Sequence, residues 1–150
     1  MTEEVTGLDL VVAQFEVAAG GDLPWRQDEI VQRSAAVECR IYAEDPARRF
    51  LPSPGVITRL ALPDGDGVRV ESGVVEGSAV TVHYDPLLLK VVTVGAGRDA
   101  AVARMRDALD VCEVSGVQTT LPLLRRVVRH EAFVRGAVHT QMVEQGAFNG

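Results

Sequence analysis

Lysine is almost missing from this sequence of 150 residues: of its 15 basic side chains only Lys90 is a lysine, the rest being arginine. Set against 21 acidic residues they leave a formal charge of -6. That balance argues against a nucleic-acid or anionic-membrane surface, although it leaves room for a local basic patch. Cysteine is scarce too. Cys39 and Cys112 are too few and too far apart for a disulfide framework or a metal site, and each falls on an apolar face, so both are expected to be buried and reduced. His83, His130 and His139 show no HxxxH or HxH spacing and no accompanying cysteine cluster, which argues against bound metal. No apolar run is long enough to span a bilayer and no charged-then-apolar leader is visible, so the expectation is a soluble, cytoplasmic chain. Gly95-Ala96-Gly97 lacks the third glycine of a dinucleotide fingerprint and reads as a strand-to-helix turn. There is no P-loop, nucleophile elbow, internal repeat or low-complexity segment.

What is present suits one compact domain, since a hydrophobic content of 47% over this length supports its own core. Thr6-Gly7-Leu8-Asp9 has capping-box spacing, and Leu8, Val11, Val12, Phe15, Ala18 and Ala19 follow at helical intervals until Gly20-Gly21. A helix with one buried face is predicted there, then a polar connector to Arg33. From Gly55 to Val94 short strands and turns dominate, and four or five antiparallel strands are expected. The two Asp-Gly pairs of Pro63-Asp64-Gly65-Asp66-Gly67 favour a hairpin-like reversal between Val56–Leu62 and Val68–Glu71. Ala101, Val102, Met105, Ala108, Leu109 and Cys112 form the apolar stripe of a helix over Arg98–Cys112. Thr120 is placed to cap a further helix with Pro122 in its first turn, and a short turn or helix closes the chain at Thr140–Gly146. The order helix, strands, helices indicates α+β, an antiparallel β-meander packed with helices.

The segment Ala35 to Glu44 alternates strictly. Ala35, Val37, Cys39, Ile41 and Ala43 share one face, while Glu38, Arg40, Tyr42 and Glu44 share the other, so an arginine sits between carboxylates on one side of a strand. A guanidinium keeps its charge at any working pH and its planar fork suits a carboxylate-shaped anion. Glu38 and Glu44 either orient Arg40 or are simply solvated. Asp85 before Pro86 reads locally as a turn residue. Lys90 interrupts an apolar strand and reads as an edge-strand charge that discourages aggregation.

Five segments in register carry a family resemblance: Thr2-Glu3-Glu4-Val5-Thr6-Gly7-Leu8-Asp9-Leu10; Ala36 to Arg40 with Ala43-Glu44-Asp45-Pro46; Phe50-Leu51-Pro52-Ser53-Pro54-Gly55; Gly67 to Gly73; and His83-Tyr84-Asp85-Pro86 with Lys90. Over nearly its whole length the chain resembles the C-terminal part of biotin carboxylase, the ATP-dependent component of biotin-dependent carboxylases. The resemblance implies that residues 1–33 are the tail of an ATP-grasp segment with a connector, 34–142 the biotin carboxylase C-terminal domain and 143–150 a tail. It implies that Arg40 contacts bicarbonate and biotin and stabilises the biotin enolate, and that Asp85 lies near it and helps to organise that side of the site. Lysine is common at Lys90 in the family, with no chemical step assigned to it. The family's dimer contacts at the Pro63–Arg69 reversal would fall on Asp66, where an aromatic is usual, and on Arg69.

The complete enzyme so implied uses ATP and magnesium to activate bicarbonate and carboxylates biotin on a separate carrier domain, with a carboxyltransferase subunit receiving the product. The ATP-binding ligands and the glutamate that deprotonates bicarbonate would lie in the preceding ATP-grasp portion, so this chain is expected to be a fragment holding one wall of the site, inactive alone. His83-Tyr84-Asp85-Pro86 and Val138-His139-Thr140 lean toward the α chains of acyl-CoA carboxylases. Two other classes stay open: a non-catalytic subunit-assembly module, and a regulatory remnant that binds a small anion through Arg40.

Overall fold

The computed structural model describes residues 1–148. The expected tail 143–150 therefore ends on Asn149 and Gly150, which lie outside the described residues. Two short helices come first, α1 (Thr2–Thr6) and α2 (Leu10–Ala18), then a 3-10 turn at Gln27–Glu29. Nine strands follow among the described residues: β1 (Ala35–Tyr42), β2 (Glu44–Asp45), β3 (Leu51–Pro52), β4 (Gly55–Val56), β5 (Arg59–Ala61), β6 (Val68–Ser72), β7 (Ala79–Val80), β8 (Leu87–Gly95) and, after α3 (Arg98–Val111), β9 (Glu113–Ser115). The helices α4 (Leu121–Val127) and α5 (Glu131–Val134) and a 3-10 turn at Thr140–Met142 are the last elements among the described residues. All strand pairings are antiparallel and the class is α+β, as the sequence predicts.

The strands divide into a three-stranded sheet in the order β1-β8-β6 and three two-stranded ribbons, so neighbours in the main sheet are not consecutive along the chain. Gly65 and Gly67 do take positive φ, 139° and 72°, as the Asp-Gly pairs require. The expected hairpin does not form across that turn, however, because β5 pairs with β9 while β6 pairs with β8. Gly116, at φ 101°, follows β9, and a Cβ built there would lie 1.9 Å from the Val56 carbonyl oxygen, so only glycine lets these two segments approach.

The core is a layer of α3 and α4 on the main sheet. Every residue of the α3 stripe is buried, and it meets Val37, Cys39 and Ile41 of β1 and Leu89 and Val91 of β8. Thr93 is fully buried but satisfied, its hydroxyl donating to the Ala101 carbonyl at 2.9 Å. Both cysteines are free and buried, as expected. Burial pushes the Cys39 thiol up from 9.0 to about 12, and the Glu38 carboxylate adds to the rise.

A thiol whose folded value lies above its unfolded one contributes stability that is complete below pH 9 and lost as the pH rises toward 12. Native protein at pH 8 is therefore expected to resist thiol reagents at Cys39 until it is unfolded, because the thiolate is the nucleophile. Between pH 9 and 12 the wild-type denaturation midpoint should fall more steeply than that of Cys39→Ala. Equal slopes for the two proteins would show that the thiol is not protected by the fold.

Two expectations about the N-terminal helices are corrected. The cap of α2 is Asp9, whose carboxylate accepts from the Val12 N–H at 2.8 Å; the Thr6 hydroxyl instead donates back to the Thr2 carbonyl within α1. Nor is the apolar face of α2 buried. Only Ala13 is covered, while Val11, Val12 and Phe15 are exposed, Phe15 by 74%. Helical spacing states which face can be buried, and among the described residues nothing is packed over it.

Candidate functional site

β1 supplies the site because its alternation survives in three dimensions. Val37, Cys39 and Ile41 enter the core, which fixes Glu38, Arg40 and Tyr42 on the opposite face. The Arg40 Nε donates to Glu38 Oε1 at 2.8 Å. Glu38 is the better covered partner, at 18% side-chain exposure against 56% for Arg40, so the carboxylate acts as a fixed support and the guanidinium as the reaching group. The hydrogen bond to Glu38, then the Tyr42 phenol, hold the guanidinium above its ordinary value. Of the two orienting carboxylates considered from sequence, Glu38 fills that role.

Glu44 lies farther along, in β2, and its carboxyl is pushed up by burial and then by the charge of Asp85. Asp85 itself forms the expected turn: Oδ1 accepts from the Leu87 N–H at 2.8 Å, and the neighbouring Pro86 carbonyl accepts from Ala43 N–H at 2.8 Å. The structure thus places Asp85 beside Glu44 at the end of the row that contains Arg40. Its hydrogen bond is to backbone rather than to the guanidinium.

Behind Arg40 the sheet register builds a charged surface. Arg40 lies opposite Lys90, which lies opposite Glu71, and Glu38 lies opposite Val92, which lies opposite Arg69. Lys90 is therefore on the central strand, not an edge. Its ammonium is paired with Glu71, whose carboxyl is held down first by Lys90 and then by Arg69. The edge reading fails because a strand's place in a sheet depends on its partners, which sequence spacing does not reveal.

Arg69 is likewise within β6 rather than at the tip of the turn, and it spans three carboxylates: Glu4 at 3.0 Å, Glu3 at 3.5 Å and Glu71. Asp66 is exposed in the turn itself. The network ties α1 to the main sheet, and a cavity of about 370 Å³ between them is bordered by Glu38, Arg69, Glu71 and Lys90. Two contributors have signals that sequence reading passed over. Tyr42 is two residues from Arg40 on the same strand face, and Glu71 stands in a β-strand pattern beside Arg69.

The donor set can be tested against the implied cofactors. Among the described residues no group of three or more His, Cys, Asp or Glu could hold a metal ion. The nearby carboxylates Glu38, Glu71, Glu3 and Glu4 are committed to Arg40, Lys90 and Arg69. These residues do not fit a magnesium nucleotide. Arg40 does fit a small planar anion, since Glu38 engages only Nε of the five-donor fork and, with the Tyr42 phenol beside it, the terminal nitrogens still carry donors for a ligand. No helix is long and apolar enough to cross a membrane among the described residues.

Comparison with known proteins bears on this geometry. Residues 38–145 match the family model described as biotin carboxylase C-terminal domain. The chain is 44% identical to the biotin carboxylase of Halalkalibacterium halodurans over 95% of its own length and 31% of that protein. It is 40% identical to the mitochondrial methylcrotonoyl-CoA carboxylase subunit alpha of Rattus norvegicus, over 97% of this chain and 20% of that one. Among solved structures, the biotin carboxylase domain dimer of Hydrogenobacter thermophilus 2-oxoglutarate carboxylase, in complex with MgADP, ADP and bicarbonate, superimposes with a TM-score of 0.93 at 40% identity, covering 97% of this chain and 32% of that chain. The chain thus spans about a third or less of the length of these relatives.

Proposed function

Because the chain belongs to the biotin carboxylase C-terminal domain family of the biotin-dependent carboxylases, we propose that it forms one wall of the site in which bicarbonate is used to carboxylate carrier-bound biotin. The observation that carries this reading is Arg40, half exposed on a rigid strand with its Nε bound to Glu38. Arg40 binds the bicarbonate-sized anion through its remaining donors and sets a permanent positive charge against an oxygen that becomes negative as the carboxyl group moves. Glu38 holds the guanidinium plane. Asp85 supports the same row indirectly, through the turn that fixes Pro86 against Ala43. Biotin, when bound, supplies the nitrogen that accepts the carboxyl group.

ATP and magnesium are assigned to the ATP-grasp portion of the complete enzyme, with residues 1–33 as its tail and connector. The uncovered apolar face of α2, Val11, Val12 and Phe15, is the surface we place against that portion. The carrier domain and the carboxyltransferase subunit are the remaining partners. Within the family, the wording His83-Tyr84-Asp85-Pro86 and Val138-His139-Thr140 favours an acyl-CoA carboxylase α chain. A polypeptide of residues 1–150 should fold yet show no bicarbonate-dependent ATP hydrolysis, and carboxylation should appear when the ATP-grasp portion is supplied. Turnover by residues 1–150 alone, abolished by Arg40→Ala, would overturn the division of labour.

Assembly follows from the same surface. Asp66 stands where relatives are expected to carry an aromatic, and a carboxylate at an interface must stay hydrated or find a cation. Arg69 is already engaged by Glu3, Glu4 and Glu71. Residues 1–150 are therefore expected to be monomeric or weakly dimeric, with any dimer weakened by salt. Sedimentation across protein concentration and ionic strength checks this; a tight dimer that survives high salt and Asp66→Ala would show that another surface carries assembly.

A further inference from the structure

We propose that Thr120 is a positioning residue that sets the direction in which Arg40 projects, an inference that rests on the reading of Arg40 just given. β1 is an outer strand of the main sheet, and its register with β8 shifts between Ile41 and Tyr42. The strand bearing Arg40 therefore loses regular pairing one residue beyond it. At that point a single residue from the start of α4 closes the outer edge of β1. The Tyr42 N–H donates to Thr120 Oγ1 at 3.1 Å, and the Thr120 N–H donates to the Tyr42 carbonyl at 3.1 Å. The Thr120 hydroxyl in turn points its proton at the Arg40 carbonyl, at a longer 3.5 Å.

Thr120 occupies the N-cap position of α4, yet its hydroxyl makes no capping hydrogen bond to that helix. A threonine that caps normally satisfies its own helix. This one spends its only side-chain donor and an acceptor on a strand some 80 residues away in sequence. It is also buried, so loss of the hydroxyl takes from the Tyr42 N–H the partner that the fold supplies. The clasp is stiff because α4 is itself anchored. Leu121 and Val128 enter the core beside Ile41, and Arg125 Nε donates to the Leu109 carbonyl at 2.9 Å while its Nη2 donates to the Cys112 carbonyl at 2.8 Å.

The consequence is leverage. The guanidinium lies at the end of a long side chain, so a backbone rotation of about 10° at Arg40 displaces it by about 1 Å, a misplacement large enough to cost a catalytic group much of its effect. Thr120 thus fixes from behind what Glu38 fixes from the side.

The test uses the full-length enzyme. Thr120→Val keeps size and shape but removes the acceptor for Tyr42, and it is expected to lower kcat/KM for biotin carboxylation about tenfold, whereas Thr120→Ser should stay within about twofold of wild type. A merely structural role is separated by a double-mutant cycle with Arg40→Ala. Thr120→Val should add no further loss of carboxylation in the Arg40→Ala background, while lowering the denaturation midpoint equally in both backgrounds. If Thr120→Val does not accumulate as folded protein, Thr120→Ala removes the hydroxyl with less bulk and carries the same comparison. An inactive Arg40→Ala together with an unimpaired Thr120→Val, or a tenfold loss that persists without Arg40, overturns the positioning role alone. Full carboxylation by Arg40→Ala overturns the reading of Arg40 and this inference with it.

Discussion

Arg40→Lys in the full-length enzyme is expected to lower biotin carboxylation by about a hundred-fold or more while leaving the fold intact. The side chain stands on the solvent side of β1, so the exchange disturbs no buried contact. What it removes is geometry. The guanidinium binds Glu38 through Nε and has a planar set of donors left over for an anion, whereas a lysine ammonium is a point charge on a flexible stem and cannot hold Glu38 and a carboxylate-shaped ligand in one plane. Charge is conserved, so a loss of this size isolates the contribution of the fork. Steady-state carboxylation rates, with circular dichroism as the folding control, make the comparison. Near-normal rates from Arg40→Lys would reduce Arg40 to a surface charge.

Ile41→Ala is expected to cost about 3 kcal/mol of stability, within the 2 to 5 kcal/mol that truncation of a buried isoleucine typically removes. Ile41 is completely inaccessible and belongs to the cluster that joins β1 to β8, α3 and α4, so the vacated volume has well-packed walls on every side and little room to collapse. The position also links core to site. Ile41 lies between Arg40 and Tyr42, directly before the register shift, and its loss loosens the strand that carries Glu38 and Arg40 and that Thr120 clasps at Tyr42. Carboxylation should therefore fall as well, under conditions where the variant is still folded. Urea denaturation gives the first quantity and initial rates give the second. A loss below about 1 kcal/mol would mean that the core relaxes around the cavity instead of depending on this side chain.

Some of this architecture is legible without coordinates because a local period is enforced locally. Side chains alternate along a strand whatever it pairs with, so the two faces of residues 35–44, the inward position of Cys39 and the outward position of Arg40 could be read directly. The same holds for α3, whose stripe is buried residue for residue, and for the glycines of the Pro63–Gly67 turn. Family resemblance added a role for Arg40 and Asp85 that no spacing contains, and for those two residues the structure supplies surroundings: a carboxylate support for one and a backbone turn for the other.

Other features depend on which segments meet, and spacing says nothing about that. Lys90 reads as an edge charge until β8 is found between β1 and β6, where Glu71 neutralises it. The Val56–Glu71 stretch reads as a hairpin until its two halves choose different partners, β9 and β8. Thr120 reads as a helix cap until its hydroxyl is found on β1. The α2 periodicity states which face is apolar, but whether that face is covered depends on surface that other parts of a fold must bring to it. The sequence by itself thus determined the direction of each side chain within its element, because covalent geometry sets the period. Tertiary structure alone decided which elements adjoin, and therefore which charges are paired, which hydroxyl steadies the arginine and which apolar face stays open, because those contacts join residues that are distant along the chain.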